Sequence, residues 1–296
     1  MINVRRDSVA DEGVDDLFDG KDTETSGIRP AWVDDGELQG NSFGHGLMGM
    51  ASDTRAWVAL PDACTGEPGN FDGPGVVDVA LGDDEISRST DADTNAEYQK
   101  ALSRVAVHIA NGTMEELGCG GGLEGPGELA PAPTLQSFER MAADREMCGL
   151  EGVILPKAYV GSGAQMRASV GGADHPERAD VNSPVRGCDV LTGADSRPAV
   201  HLRTVQEPDL TGAFGHSVLH LGRGIDIKGS GVEATGSSSR STAALRAECP
   251  KGVVVFIAED EHDEGGHTFI RDVFPSYVAT EAERLGCGPL DLRIRS

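Results

Sequence analysis

Two stretches of this chain bring together residue types that can do chemistry. The first is Glu116-Leu117-Gly118-Cys119-Gly120-Gly121-Gly122. Glycines at alternate positions let a backbone pass close to a ligand, because no Cβ stands in the way. Set between a strand and a helix, such a turn aims N–H groups at a nucleotide-like ligand. With 40 Gly in 296 residues the bare pattern arises by chance roughly 0.7 times, so the flanking Glu-Leu and Cys carry its weight. The second stretch runs from Glu259 to His267 and packs five acids and two His into nine residues. Carboxylates and imidazoles suit a divalent cation, so this cluster supports a metal-dependent hydrolase as an alternative function. Its plainer reading is a solvated acidic loop.

Other chemistries find no motif. Ser237-Ser238-Ser239-Arg240-Ser241 lacks the Gly-Lys-Ser/Thr of a phosphate loop, and no G-x-S-x-G elbow is present. The six cysteines (Cys64, Cys119, Cys148, Cys188, Cys249 and Cys287) lie tens of residues apart with no C-x-x-C pair. That spacing fits neither a zinc ribbon nor a compact disulfide scaffold, so reduced, buried thiols in a cytoplasmic protein are expected. The 49 Asp and Glu outnumber the 25 Lys and Arg, for a net charge of −24. Such a charge disfavours non-specific binding to nucleic acid, where affinity comes from cations on phosphates. It is also what a salt-adapted protein would carry, since salt screens self-repulsion. No apolar run approaches the ~20 residues of a membrane span, and the N-terminus has no apolar signal-like region. A second alternative is a non-catalytic acidic binding or structural protein.

The elements that would position these residues follow from pattern. Residues 1–93 read as an irregular acidic extension with two strand-like runs, 56–60 and 76–81. Tyr98, Leu102, Val105 and Ile109 recur at helical spacing. Residues 135–147 and 241–248 read as further helices, 152–156 and 216–221 as short strands, and 158–200 as a long insertion. Val253–Ala258 is the strongest strand, followed by a helix over 277–285 and an alternating strand over 290–294. Alternating helices and strands from Thr94 onward predict an α/β, Rossmann-like fold, with a mostly parallel sheet covered by helices on both faces. No internal repeat is evident.

Glu116–Gly122 resembles the glycine-rich first motif of class I S-adenosylmethionine-dependent methyltransferases. Residues 137–153, Asp209-Leu210 with His216–Leu221, 243–259 and 274–294 resemble later segments of that family in the expected order, so the resemblance covers about residues 94–296. It departs at two acids: Pro131–Gln136 offers no carboxylate for a ribose, and Lys157-Ala158-Tyr159 stands where another acid is usual. The resemblance implies methyl transfer to an unidentified acceptor, with S-adenosylmethionine held at Glu116, Gly118, Gly120 and Gly122. The cofactor would carry the chemistry and the protein would orient it. His216 and His220 are the candidate general bases, needed only if the acceptor must lose a proton.

Overall fold

A computed structural model describes residues 2–5, 41–43, 47–52, 54–66, 74–81, 92–127, 129, 136–137, 146–148, 150–156, 165–168, 185–191, 198–214, 218–219, 222–228, 231–260 and 268–294. The chain divides into two units, Met1–Ala132 with Asp209–His216, and Pro133–Pro208 with Ser217–Ser296.

The first unit is built on a five-stranded sheet. Its strands are β1 (Ile2–Arg5), β2 (Asn41–Ser42), β3 (Gly49–Ala51), β4 (Arg55–Ala59) and β5 (Val76–Ala80), in the order β1-β5-β4-β3-β2. A short helix α1 (Asp62–Thr65) lies between β4 and β5, and a long helix α2 (Ala92–Leu117) follows β5. Helix α2 turns Leu102, Ala106, Ala110 and Met114 onto Ala56, Val58, Val77 and Val79. These positions recur every four residues, and the two alanines let the helix sit close to the sheet. Burying a side chain such as Leu102 contributes about 1.5–3 kcal/mol. The periodicity therefore found the helix and its buried Leu102, but Tyr98 and Val105, expected on the same face, are exposed.

The second unit carries an eight-stranded sheet in the order β10-β12-β13-β14-β9-β8-β7-β6. The strands are β6 (Gln136–Ser137), β7 (Gln165–Ala168), β8 (Val185–Leu191), β9 (Pro198–Val205), β10 (Arg223–Gly224), β12 (Ala234–Ser238), β13 (Thr242–Cys249) and β14 (Gly252–Asp260). A separate pair joins β11 (Asp226–Lys228) to β15 (Asp291–Arg293). Helix α4 (Thr268–Leu285) follows β14, whereas the four-residue helix α3 (Pro208–Thr211) that follows β9 belongs from Asp209 onward to the first unit. Helix α4 packs Phe269, Val273, Phe274 and Val278 against a face made by Leu202, Leu245, Val254 and Phe256.

Every strand pairing is antiparallel, which overturns the Rossmann-like expectation of a mostly parallel sheet with helices on both faces. The linkers explain why. Parallel neighbours need a crossover of a dozen or more residues, whereas Pro250 and Lys251 alone join β13 to β14. The stretch expected as an irregular extension supplies all five strands of the first sheet. Residues 241–248, expected as a helix, fall in and just before β13 (Thr242–Cys249): Ala243, Leu245, Ala247 and Cys249 alternate onto the core face, and the neighbouring strand overrides the local helical propensity. The expected insertion at 158–200 contains β7, β8 and the start of β9.

The two units repeat one plan. Within the second sheet the run β9-β14-β13-β12-β10 has the same order as β1-β5-β4-β3-β2 in the first, met in the same chain sequence and followed by a helix. Residues 49–58 (GMASDTRAWV) align without a gap on 236–245 (GSSSRSTAAL). Gly49 pairs with Val58 as Gly236 pairs with Leu245. A Cβ at either glycine would stand 2.6 Å from a strand carbonyl, that of Trp57 or of Ala244. The hairpin turns also match. Ser52 N–H donates to Arg55 O at 2.7 Å and its hydroxyl oxygen accepts from Arg55 N–H at 3.0 Å. Ser239 does the same with Thr242 at 2.8 and 3.1 Å. The structure thus contains the internal repeat that the sequence reading did not find.

Candidate functional site

Glu116, Gly118, Gly120 and Gly122 lie together, but at the C-terminal end of a helix rather than at the start of one. Leu117 closes α2, and Gly118 adopts a left-handed φ of 65° that an L side chain rarely takes. Gly118 N–H donates to Glu115 O at 3.2 Å and Cys119 N–H donates to Met114 O at 3.1 Å. This pair of bonds is the Schellman cap that ends many helices on glycine. Asn111 then pins the returning chain, donating from Nδ2 to Leu123 O at 3.0 Å and accepting from Leu123 N–H at 2.5 Å.

An open cleft of about 750 Å³ is lined by Gly118, Gly120, Gly121 and Gly122 together with Glu115 and Glu124. The N–H groups of Gly118 and Cys119 are engaged in the cap, and the helix end carries the negative pole of its dipole. Exposed Glu115, Glu116 and Glu124 add to it. The electrostatics favour a cation, the opposite of a turn built for phosphate.

The sequence that forms this cap recurs with five of its six residues identical. Glu115-Glu116-Leu117-Gly118-Cys119-Gly120 is matched by Glu283-Arg284-Leu285-Gly286-Cys287-Gly288 at the end of α4. Gly286 has a φ of 72°, its N–H donates to Glu283 O at 3.0 Å, and Cys287 N–H donates to Ala282 O at 2.8 Å. Each capping cysteine is bonded to a partner in the connection, or at its edge, between corresponding strands. Cys119 joins Cys64, between β4 and β5, and Cys287 joins Cys249, at the turn between β13 and β14. Cys148 joins Cys188, tying the 146–154 turn to β8. All six cysteines are paired, so the expectation of reduced thiols is corrected. Spacing in sequence hid the pairs, because the sheets bring together cysteines 38 to 55 residues apart.

The other candidates fall differently. His216 and His220 lie outside the described residues. Glu259 and Asp260 end β14, while the rest of the acidic cluster, 261–267, also lies outside them. Among the described residues no three His, Cys, Asp or Glu side chains come together as a metal site. No described helix is long and apolar enough to cross a membrane.

Sequence reasoning missed two buried polar clusters in the second unit. On one face of its sheet, Asp189 of β8 is fully buried and its Oδ1 lies 3.0 Å from His201 Nδ1 of β9. Arg203 Nη1 donates to the same Oδ1, and its Nη2 lies 3.3 Å from the imidazole. On the face packed by α4, Glu281 accepts from Arg284 at 2.9 and 2.8 Å and lies 3.6 Å from Arg186. Beside it the Tyr277 and Thr204 hydroxyls are hydrogen-bonded at 2.6 Å. The alternation in Val200-His201-Leu202-Arg203 was the available signal for β9, with polar and apolar residues on opposite faces.

Burial, reinforced by the Glu281 charge, raises the Tyr277 phenol above its ordinary range despite the Thr204 hydrogen bond. The raised value sets a direction for stability. Below about pH 10 both folded and unfolded chains keep the proton; above it only the unfolded chain releases it. Stability is therefore present below the ordinary phenol value and is lost as pH rises past it, by up to about 1.4 kcal/mol per unit from this group. Tyr277→Phe is expected to flatten the pH dependence of urea unfolding between pH 9.5 and 11. Equal slopes in both proteins would refute the assignment.

Compared with known proteins, the chain matches no protein-family model, no characterised protein and no solved structure.

Proposed function

We propose that this chain is a non-catalytic, disulfide-braced binding or structural protein of an oxidising compartment, meeting cationic partners through its acidic surface. The observation that carries the reading is the doubled cap. The glycines and cysteine that resemble a cofactor loop terminate a helix, and the same Leu-Gly-Cys-Gly does the same work at the end of α4. The methyltransferase resemblance loses its frame, because the sheets are antiparallel. Full cysteine pairing favours an oxidising compartment over the cytoplasm, where thiols are kept reduced. A net charge of −24 favours cationic partners by steering and by complementarity.

The test is thermal unfolding of the oxidised protein with S-adenosylhomocysteine and, separately, with a cationic peptide such as oligolysine. A ligand at 100 times its Kd adds about 2.7 kcal/mol. The expected result is no shift with the nucleoside and a salt-sensitive shift with the peptide. A rise in Tm with S-adenosylhomocysteine, or no response to the peptide at low salt, would overturn the reading.

A further inference from the structure

The repeated cap places two disulfides in one structural role but in different surroundings. Cys249 and Cys287 are 8 % and 2 % exposed, sealed in the core under α4. Cys64 and Cys119 are only half-buried, and Cys119 stands between Gly118 and Gly120, both exposed and without side chains to shield it. The third bond is sealed as well, with Cys148 and Cys188 at 4 % and 1 %. Thiol–disulfide exchange requires a thiolate to reach a sulfur along the S–S axis, so access decides which bond exchanges.

We infer that Cys64–Cys119 is a site of reversible exchange with dithiols, while the other two bonds remain as staples. One thiolate of the dithiol attacks Cys119 Sγ; the S–S bond breaks and Cys64 leaves as a thiolate. The second thiolate attacks the mixed disulfide, releasing Cys119 and closing the dithiol to its own disulfide. Two electrons pass from dithiol to protein, and two protons come to rest on Cys64 and Cys119. The break unties α1 from the C-terminal cap of α2 and leaves the Gly118–Leu123 turn, one wall of the acidic cleft, held only by the cap and by Asn111. Glu115, Glu116 and Glu124 set the selectivity: an approaching anionic thiolate is repelled, and one carrying a compensating ammonium is not.

Limited treatment of the native protein with dithiothreitol, then alkylation and peptide mapping, tests the assignment. Cys64 and Cys119 are expected to be labelled at least tenfold faster than the other four, with the thermal transition of the second unit retained. Simultaneous labelling of all six cysteines, or earlier labelling of either sealed pair, would overturn it. In a second arm, with rates expressed per thiolate present, cysteamine is expected to form the mixed disulfide several-fold faster than 3-mercaptopropionate at low salt, and the ratio is expected to shrink in 1 M salt. Equal rates at low salt would remove the acidic selectivity from the proposal.

Discussion

Asp189→Ala is expected to destabilise the second unit by about 3–5 kcal/mol, the cost of leaving a buried charge without its partner. Asp189 is fully buried and one of its oxygens receives both the Arg203 guanidinium and the His201 imidazole. Arg203 cannot escape to water, being only 4 % exposed and packed over Gly187, where even a Cβ would stand 2.9 Å from its Nη1. Asp189→Asn should cost less, because the amide oxygen still accepts one hydrogen bond. The triple change Asp189→Leu, His201→Leu, Arg203→Met should recover most of the loss, since apolar groups of similar size need no partners. Urea unfolding followed by near-ultraviolet circular dichroism measures all three. A loss below about 1 kcal/mol for Asp189→Ala would mean that the guanidinium finds other compensation.

The second large effect belongs to Cys249–Cys287. Removing it by the double change Cys249→Ala, Cys287→Ala is expected to cost about 2–4 kcal/mol under oxidising conditions. The bond closes a stretch with a sequence separation of 38 that includes β14 and all of α4. Without it the unfolded chain regains the freedom of that loop, and the buried sulfurs leave unfilled space against the core. The single change Cys249→Ala should cost at least as much, because it also leaves a free buried thiol. Unfolding midpoints with and without reductant provide the check: the double variant should lose its own sensitivity to strong reductant at this site, and a midpoint unchanged from the parent would refute the bracing role.

Part of this architecture was legible in the sequence. The apolar runs 56–60 and 76–81 and the run 253–258 are strands because β-branched and aromatic residues bounded by turn formers have few other places to go. The helix over 95–110 was legible from period, though Ala106 and Ala110 rather than Tyr98 and Val105 face the sheet. Residues 241–248 were misread because Ala, Leu, Arg and Glu favour helix locally, and only the pairing of β13 with β14 reveals the strand. The glycine-rich turn was misread for a related reason. Gly-x-Gly serves a phosphate when a helix follows it and a cap when a helix precedes it, so the direction of the neighbouring helix decides. The second Leu-Gly-Cys-Gly was present to be compared, and it identifies the cap without any coordinates.

The disulfides have a consequence for biosynthesis. Six cysteines allow 15 pairings, and this chain uses the one in which each cysteine joins the next in order, 64 to 119, 148 to 188 and 249 to 287. A chain entering an oxidising compartment from its N-terminus exposes Cys64 and Cys119 before Cys148 has arrived. At each step the native partner is the first one available. Such a chain can be oxidised correctly as it emerges, with little call on an isomerase. Refolding from the fully reduced chain loses that order and should scramble.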